Sequence, residues 1–444
     1  MPLRTCRRAV TVARSSSLQK PAASAAFLAG PSKGVPAVSE TTASAAEPRD
    51  LPSLPFPHDH VSPSPVYAER RATCPLGHVR LPSGDEAVLL VTHRDIAAAL
   101  ADPRLTHNLT APGSPRLTKG PSLFDDPRGL NNMEGEKHLR IRRIVASAFT
   151  PRATDRRRPA IEQAAARILD AVEKAGPPAD IVGAYCFPLP VRVICQLLGV
   201  PEQDAPQFRH WSNAFLSAAE MTIEERAGQL MQFAEYTAGL LARRRAEPGT
   251  DLIDDLIAAR DGADKLSEEE LVYLTAGLIA AGNETTSNAL GRAILALLGD
   301  GREPWERLVA EPELIPAAVD ELLRYTILGT GVALRVASED VPLPSGLIRA
   351  GQAVALAGAS GQHDEEAYAE PDRLRFDREA AVALTFGGGP HYCLGAHLAK
   401  AELQIGLRQL IERFPKLRLT VDRADLRFTD GEVLSSLVEL PVAW

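Results

Sequence analysis

The chain has 444 residues, 45% of them hydrophobic and 24% charged, with a formal net charge of −8. This is an ordinary globular composition, and its acidic balance argues against nucleic acid as a general partner. Length alone suggests two or three domains, although single domains can run larger. The five cysteines, Cys6, Cys74, Cys186, Cys195 and Cys393, are odd in number and irregularly spaced, which fits a reducing compartment better than a disulfide framework. No apolar run is long enough to span a bilayer, so no membrane anchor is expected and a cytoplasmic location is.

Residues 1–48 are rich in Ala, Ser, Pro and Arg, and their first acidic residue is Glu40. Such a stretch cannot build a core and is expected to be a disordered extension. An Arg- and Ser-rich, acid-poor start also resembles an organelle transit peptide. Residues 49–444 are read as one domain. A Pro-rich entry leads to a short helix near Val66–Arg71 and two strands, His78–Leu81 and Glu86–Val91, joined by the Pro82-Ser83-Gly84-Asp85 turn. Thr92, with Asp95 three residues on, is placed to cap the next helix. Cys74 and His78 lack a second ligand pair at finger spacing and are not read as a metal site. Residues 102–131 carry five prolines and little periodicity, and a loop of that length in a compact domain is usually functional or mobile.

His138 and Arg142 follow, one helical turn apart on one face, where they can grip a carboxylate. Arg140 and Arg143 read as a solvated basic face. Between residues 153 and 300, apolar spacing with breaks at Pro and Gly predicts helices over Ala153–Ala175, Leu189–Leu198, Glu202–Ala219, Ile223–Ala246 and Asp251–Arg260. Cys186 and Cys195 sit among apolar neighbours and read as core. A long apolar helix is predicted over Ser267–Leu298. Its middle, Ala281-Gly282-Asn283-Glu284-Thr285-Thr286, breaks good helix design with a glycine and a central carboxylate, as functional sites do. Another helix, Glu313–Tyr325, carries Glu321 and Arg324 at pairing distance. Val332–Asp340 alternates like a strand and contains Arg335.

The most specific stretch is Phe386-Gly387-Gly388-Gly389-Pro390-His391-Tyr392-Cys393-Leu394-Gly395, which runs into a helical pattern. Glycine and proline hold it out of regular structure. Cys393 falls where the helix begins, so orphan amides and the helix dipole bias its thiol towards thiolate. Gly395 would let a flat ligand lie against the backbone. A thiolate under a large planar group is the architecture of a haem-thiolate site.

Phe-x-x-Gly-x-x-x-Cys-x-Gly, with a His two before the Cys, resembles the haem signature of the cytochrome P450 family, and the likeness extends from about residue 49 to the end. It implies a mainly α fold with small β-sheets, with haem between the long distal helix and the Cys-loop helix. It further implies a soluble bacterial type of haem-thiolate monooxygenase that inserts one oxygen atom of O2 into a small apolar organic substrate by hydroxylation or epoxidation, in secondary metabolism or xenobiotic oxidation. The alternative kept open is peroxide-driven oxidation or oxidative coupling at the same haem-thiolate centre.

By this resemblance Cys393 is the metal ligand of haem b, which is bound noncovalently since no Cys-x-x-Cys-His is present. His138, Arg142, Arg335 and His391 would hold the propionates, and Phe386, Gly389 and Gly395 would shape the cofactor site. Thr285 would bond the oxygen or an adjacent water, Glu284 would relay protons, and Gly282 would open a groove for dioxygen. Glu321 and Arg324 match the family's Glu-x-x-Arg, whose later arginine partner would be Arg373. The segment Ile327–Gly331, together with Leu434 and Ser435, would line the pocket. The proline common after Tyr325 is missing, and Gln362-His363-Asp364 stands where Asn-Arg-Asp is usual. With no flavin or nucleotide fingerprint in the chain, electrons are expected from a ferredoxin and its reductase docking near Arg140, Arg143, Lys400 and Arg408.

Overall fold

The computed structural model describes residues 50–111, 114–117, 126–216, 221–261, 266–299, 301–329, 332–379, 383–429 and 434–444. Pro52–Trp444 forms one compact unit. The expectation for residues 1–48 lies outside the described residues.

The helix Glu268–Leu298 runs through the middle of this unit. It starts where a capping box closes: Glu270 N–H donates to Ser267 Oγ and Ser267 N–H donates to Glu270 Oε2. From Ile279 onward almost every position is buried, and a helix apolar all round belongs inside a protein. Helices Pro188–Leu198, Ala205–Leu216, Ile223–Ala246 and Ala396–Arg413 pack around it. Cys186 and Cys195 are buried in this helical core. The helix Pro151–Ala175 packs along Ala396–Arg413, which fixes the cysteine-bearing segment from outside.

A five-stranded sheet lies beside the helices, in the order Leu76–Arg80, Glu86–Leu90, Ala353–Ala357, Val332–Ala337, Leu105–Thr106. Its pairs are antiparallel except Glu86–Leu90 with Ala353–Ala357. All five residues of Ala353–Ala357 are buried. Ala353, Ala355 and Ala357 enter one apolar cluster while Val354 and Leu356 enter another, the two-sided burial that period-two side chains give a covered strand. Thr92 caps the helix His93–Ala101 as expected, its Oγ1 accepting from Asp95 N–H. The predicted loop 102–131 carries the short strand Leu105–Thr106, which pairing with Val332–Ala337 stabilises and local propensity does not reveal, and leads into the single turn Leu130–Asn132.

The Glu321 network requires a correction. Arg324 does pair with Glu321, at 2.7 Å, both buried. The further arginine is Arg378, whose Nε donates to Glu321 Oε1 at 2.9 Å; Arg373 is exposed and pairs with Glu370. A local acidic neighbour therefore keeps Arg373 at the surface, and the chain turns back only five residues later. Removing one partner of a buried ion pair costs about 3–5 kcal/mol, whereas an exposed substitution stays within about 0.5 kcal/mol. Arg378→Ala is accordingly expected to lower the thermal midpoint and haem content of the purified protein as Arg324→Ala does. Arg373→Ala should match the wild type in both measurements, and the opposite ranking would restore Arg373 to the network.

Candidate active site

The loop Phe386–Gly395 is shaped by two left-handed glycines, Gly387 and Gly389, at φ 69° and 61°. A Cβ at Gly389 would collide with the Leu100 carbonyl, so no other residue fits there. Cys393 N–H donates to Phe386 O at 2.8 Å and closes the loop. The Cys393 thiol lines a cavity of about 820 Å3. Burial pushes its pKa up, against the pull of the Gly395 and Ala396 amides and of Arg142. The donors expected of a helix start are thus present, but desolvation outweighs them.

The cavity lies between the central helix and the Cys loop with its following helix. Ala281, Gly282 and Thr285 form one wall, and Phe386, Cys393 and Gly395 face them. A Cβ added at Gly395 would meet nothing within 4 Å, so the backbone there borders open space, as a flat ligand requires. His138, Arg142 and His391 converge on the same cavity. The His138 and His391 rings lie 4.3 Å apart, and His107 lies 4.8 Å from His391. Arg335 is buried beside them and pushed down to about 10 by burial, against the attraction of Glu134. His138 is pushed down to about 4 by burial and then by the charges of His391 and Arg142. Glu134 accepts from His391 Nε2 at 3.3 Å and from the His107 backbone N–H at 2.5 Å. His138 Nε2 and His107 Nδ1 are buried without a hydrogen-bond partner among the described residues. Such orphaned groups cost free energy; an anionic ligand would relieve them.

Not every expected residue reaches this cavity. Thr285 does, with its hydroxyl donating to Ala281 O at 2.5 Å. Glu284 instead opens on a separate cavity of about 80 Å3 behind the helix, where its Oε1 accepts from Ser436 Oγ at 2.7 Å. Arg335 and Gly389 stand behind the cavity lining rather than on it. Gly282 lies on the wall, and a Cβ there would come to 3.0 Å from Ile194 Cδ1, so close packing against Pro188–Leu198 also favours a small residue. Leu328 lines the cavity, while Gly331 lies outside the described residues. Leu434 and Ser435 do not line it: Leu434 bridges to Gly329, and Ser435 Oγ meets His60 Nδ1.

A model of the cytochrome P450 family matches residues 191–298 and 292–424. The mycinamicin IV hydroxylase/epoxidase of Micromonospora griseorubida is 40% identical over 90% of this chain and 99% of its own length. The nocardicin C N-oxygenase of Nocardia uniformis subsp. tsuyamanensis is 41% identical over 86% and 95%. The crystal structure of HinD with NMFT and NO superimposes with a TM-score of 0.84 at 39% identity, covering 89% of this chain and all of that one. The chain belongs to the cytochrome P450 family.

As a P450 it is a haem-iron monooxygenase that uses O2 and electrons from redox partners to oxidise small organic molecules. Its residues fit the cofactor: a thiol faces the open space, a bare glycine backbone borders it, and orphaned histidines with buried arginines gather at one end. No described helix is long and apolar enough to cross a membrane.

Three site residues escape a sequence reading. His107 and Glu134 lie in an aperiodic loop and at a helix start, and only the fold brings them to His391. Glu402, one face along from Cys393, lines the P450 cavity with Oε2 unpartnered among the described residues, and burial pushes its pKa well above the carboxylate range. A raised folded pKa gives stability that is complete below the unfolded value and lost as pH rises towards the folded one. Glu402→Gln should therefore match the wild type in acid and exceed it increasingly in thermal melts from pH 6 to 8. A constant difference between the two proteins across that range would show that Glu402 is ionised in the fold.

Proposed function

We propose that this P450 would hold haem b through the Cys393 thiolate and hydroxylates or epoxidises a small apolar molecule. The observation that carries the reading is the placement of the Cys393 thiol across one cavity from Thr285, with the histidine–arginine cluster at its end. Bound haem supplies the oxidising chemistry, and a thiolate ligand favours O–O cleavage.

His138, Arg142, Arg335 and His391 would hold the propionates, which would account for the orphaned His138 nitrogen. Phe386 would border the cofactor, while Gly389 sets the loop and Gly395 would leave room for the ring. On the other face, Thr285 presents a hydroxyl that can leave the Ala281 carbonyl to orient water and oxygen. Glu284, its neighbour in sequence, moves protons between solvent and that hydroxyl. Ile194, Phe233, Val272, Leu278 and Leu328 give the substrate an apolar wall that orients it and excludes water, suiting the natural-product chemistry named for the relatives.

A ferredoxin and its reductase are the electron donors in this reading, and the enzyme works in the cytoplasm. Of the basic residues expected at the docking face, Arg140 is paired with Glu270 at 2.9 Å and Lys400 with Asp320 at 2.7 Å. Arg408 lies 3.9 Å from Glu412 and donates to Pro312 O at 3.1 Å, which leaves exposed Arg143 as the stronger contributor.

Reconstitution with NADPH, a plant-type ferredoxin and its reductase, against a panel of macrolides, terpenes and steroids, tests the assignment. Oxygenated product is expected to require NADPH and O2. Thr285→Ala should divert reducing equivalents to hydrogen peroxide while leaving ligand-induced spectral shifts intact. Product formed only with added peroxide, and equally by Thr285→Ala, would contradict the assignment.

A further inference from the structure

The central helix has two working faces, and they open on different spaces. Thr285 borders the large cavity, whereas Glu284 borders the small one and does not reach the large one. Consecutive helical residues point about 100° apart, so this separation is built into the backbone. The small cavity has a polar side, formed by Glu284, Ser287 and Asn288 of the central helix and by Thr429 and Ser436 of the C-terminal segment, and an apolar side that includes Val182 and Phe187. At about 80 Å3 it has room for about two waters at about 30 Å3 each, and the carboxylate and hydroxyls of its polar side are the partners that a buried water needs.

Ser436 is held firmly in this wall. Its N–H donates to Thr429 Oγ1 at 2.9 Å, and Thr429 N–H returns a bond to Ser436 O at 2.9 Å. Next to it, Asn288 Nδ2 donates to Ser435 O at 2.9 Å and ties the segment to the central helix. The Ser436 hydroxyl, so positioned, donates to Glu284 Oε1 at 2.7 Å. The Glu284 carboxylate is 6% exposed, while Thr429 and Ser436 are only partly buried. The C-terminal segment therefore lies between the carboxylate and the outer surface.

We infer that the small cavity is a hydrated proton antechamber for Glu284, and that Ser436 is the positioning residue that keeps the carboxylate in it. This rests on the proton-carrying role given to Glu284 above. A water in the antechamber gives its proton to the carboxylate and is itself reprotonated from solvent past Thr429 and Ser436. The carboxylic acid then rotates about its side-chain bonds and delivers the proton to the Thr285 side, returning as carboxylate. Protons thus enter from behind the helix, and the apolar substrate chamber stays free of a water file.

Two variants probe the antechamber without touching the large cavity. Ser436→Ala removes the hydroxyl, with Ser436→Thr as the conservative rescue. Gly291→Ala adds a methyl 3.5 Å from Val182 Cγ2, an ordinary contact, and fills space that Gly291 now lines. Each holoenzyme is reduced with dithionite together with one equivalent of ferredoxin, so that the second electron is at hand, and mixed with O2-saturated buffer in H2O and in D2O, and the return of the oxidised Soret spectrum is timed. Haem content and the reduced-CO spectrum should equal those of the wild type.

Ser436→Ala and Gly291→Ala are expected to slow the return about tenfold, the size of an outer-shell effect, and to enlarge the solvent isotope effect. Ser436→Thr should restore both. Glu284→Gln serves as the reference. If it slows the reaction while Ser436→Ala and Gly291→Ala run at the wild-type rate, the antechamber is refuted and Glu284 keeps its role. If Glu284→Gln itself runs at the wild-type rate, the role of Glu284 falls and the antechamber with it.

Discussion

His107, His138, Arg142, Arg335 and His391 crowd one end of the large cavity, and Glu134 is the carboxylate that the described contacts place among them. Burial drives each strongly shifted member of the group towards its neutral form, the response expected when cations are desolvated without partners. At the cavity floor burial pushes the Cys393 thiol up, outweighing the Gly395 and Ala396 amides and Arg142, so it too is held towards its neutral form. A bound dianionic haem would answer both deficits together. Excess cationic capacity at one end and an unpaired thiol beneath the centre are complementary halves of one binding site. The rest of the fold holds them in register.

That register is kept by elements remote from the chemistry. The Pro151–Ala175 helix backs the cysteine helix, and the Glu321–Arg324–Arg378 network braces the segment leading to the Cys loop. Gly389 can approach Leu100 only because it has no side chain. The central helix presents Thr285 to the large chamber and Glu284 to the small one. In the function proposed here, that separation keeps the supply of protons from competing with the exclusion of water.

What the sequence shows and what it hides follow from how local each feature is. The Phe386–Gly395 string is legible because its glycines, proline and cysteine act within ten residues and tolerate few substitutes. The Thr92 cap and the buried central helix are legible for the same reason: local periodicity and a capping side chain dictate them. Arg378 was missed because several arginines follow Tyr325 and only the path of the meander selects one. His107 and Ser436 carry no periodic signal, and each becomes functional through a contact made across hundreds of residues of chain. Gly282 does line the cavity, and close packing against Ile194 is a second reason for a small residue there. Leu434 and Ser435 are expected in the pocket, but Leu434 bridges to Gly329 and the Ser435 hydroxyl meets His60. Resemblance located the chemistry; three-dimensional contacts decided which neighbours serve it.

The central claim is that Cys393, as thiolate, ligates haem iron in this chamber. The most direct measurement is the reduced-plus-CO difference spectrum of the purified holoenzyme beside Cys393→Ser. A thiolate ligand is expected to give the long-wavelength Soret band characteristic of P450 proteins, lost in Cys393→Ser while the variant still folds. A wild-type spectrum without that band, or one that Cys393→Ser leaves unchanged, would contradict the account.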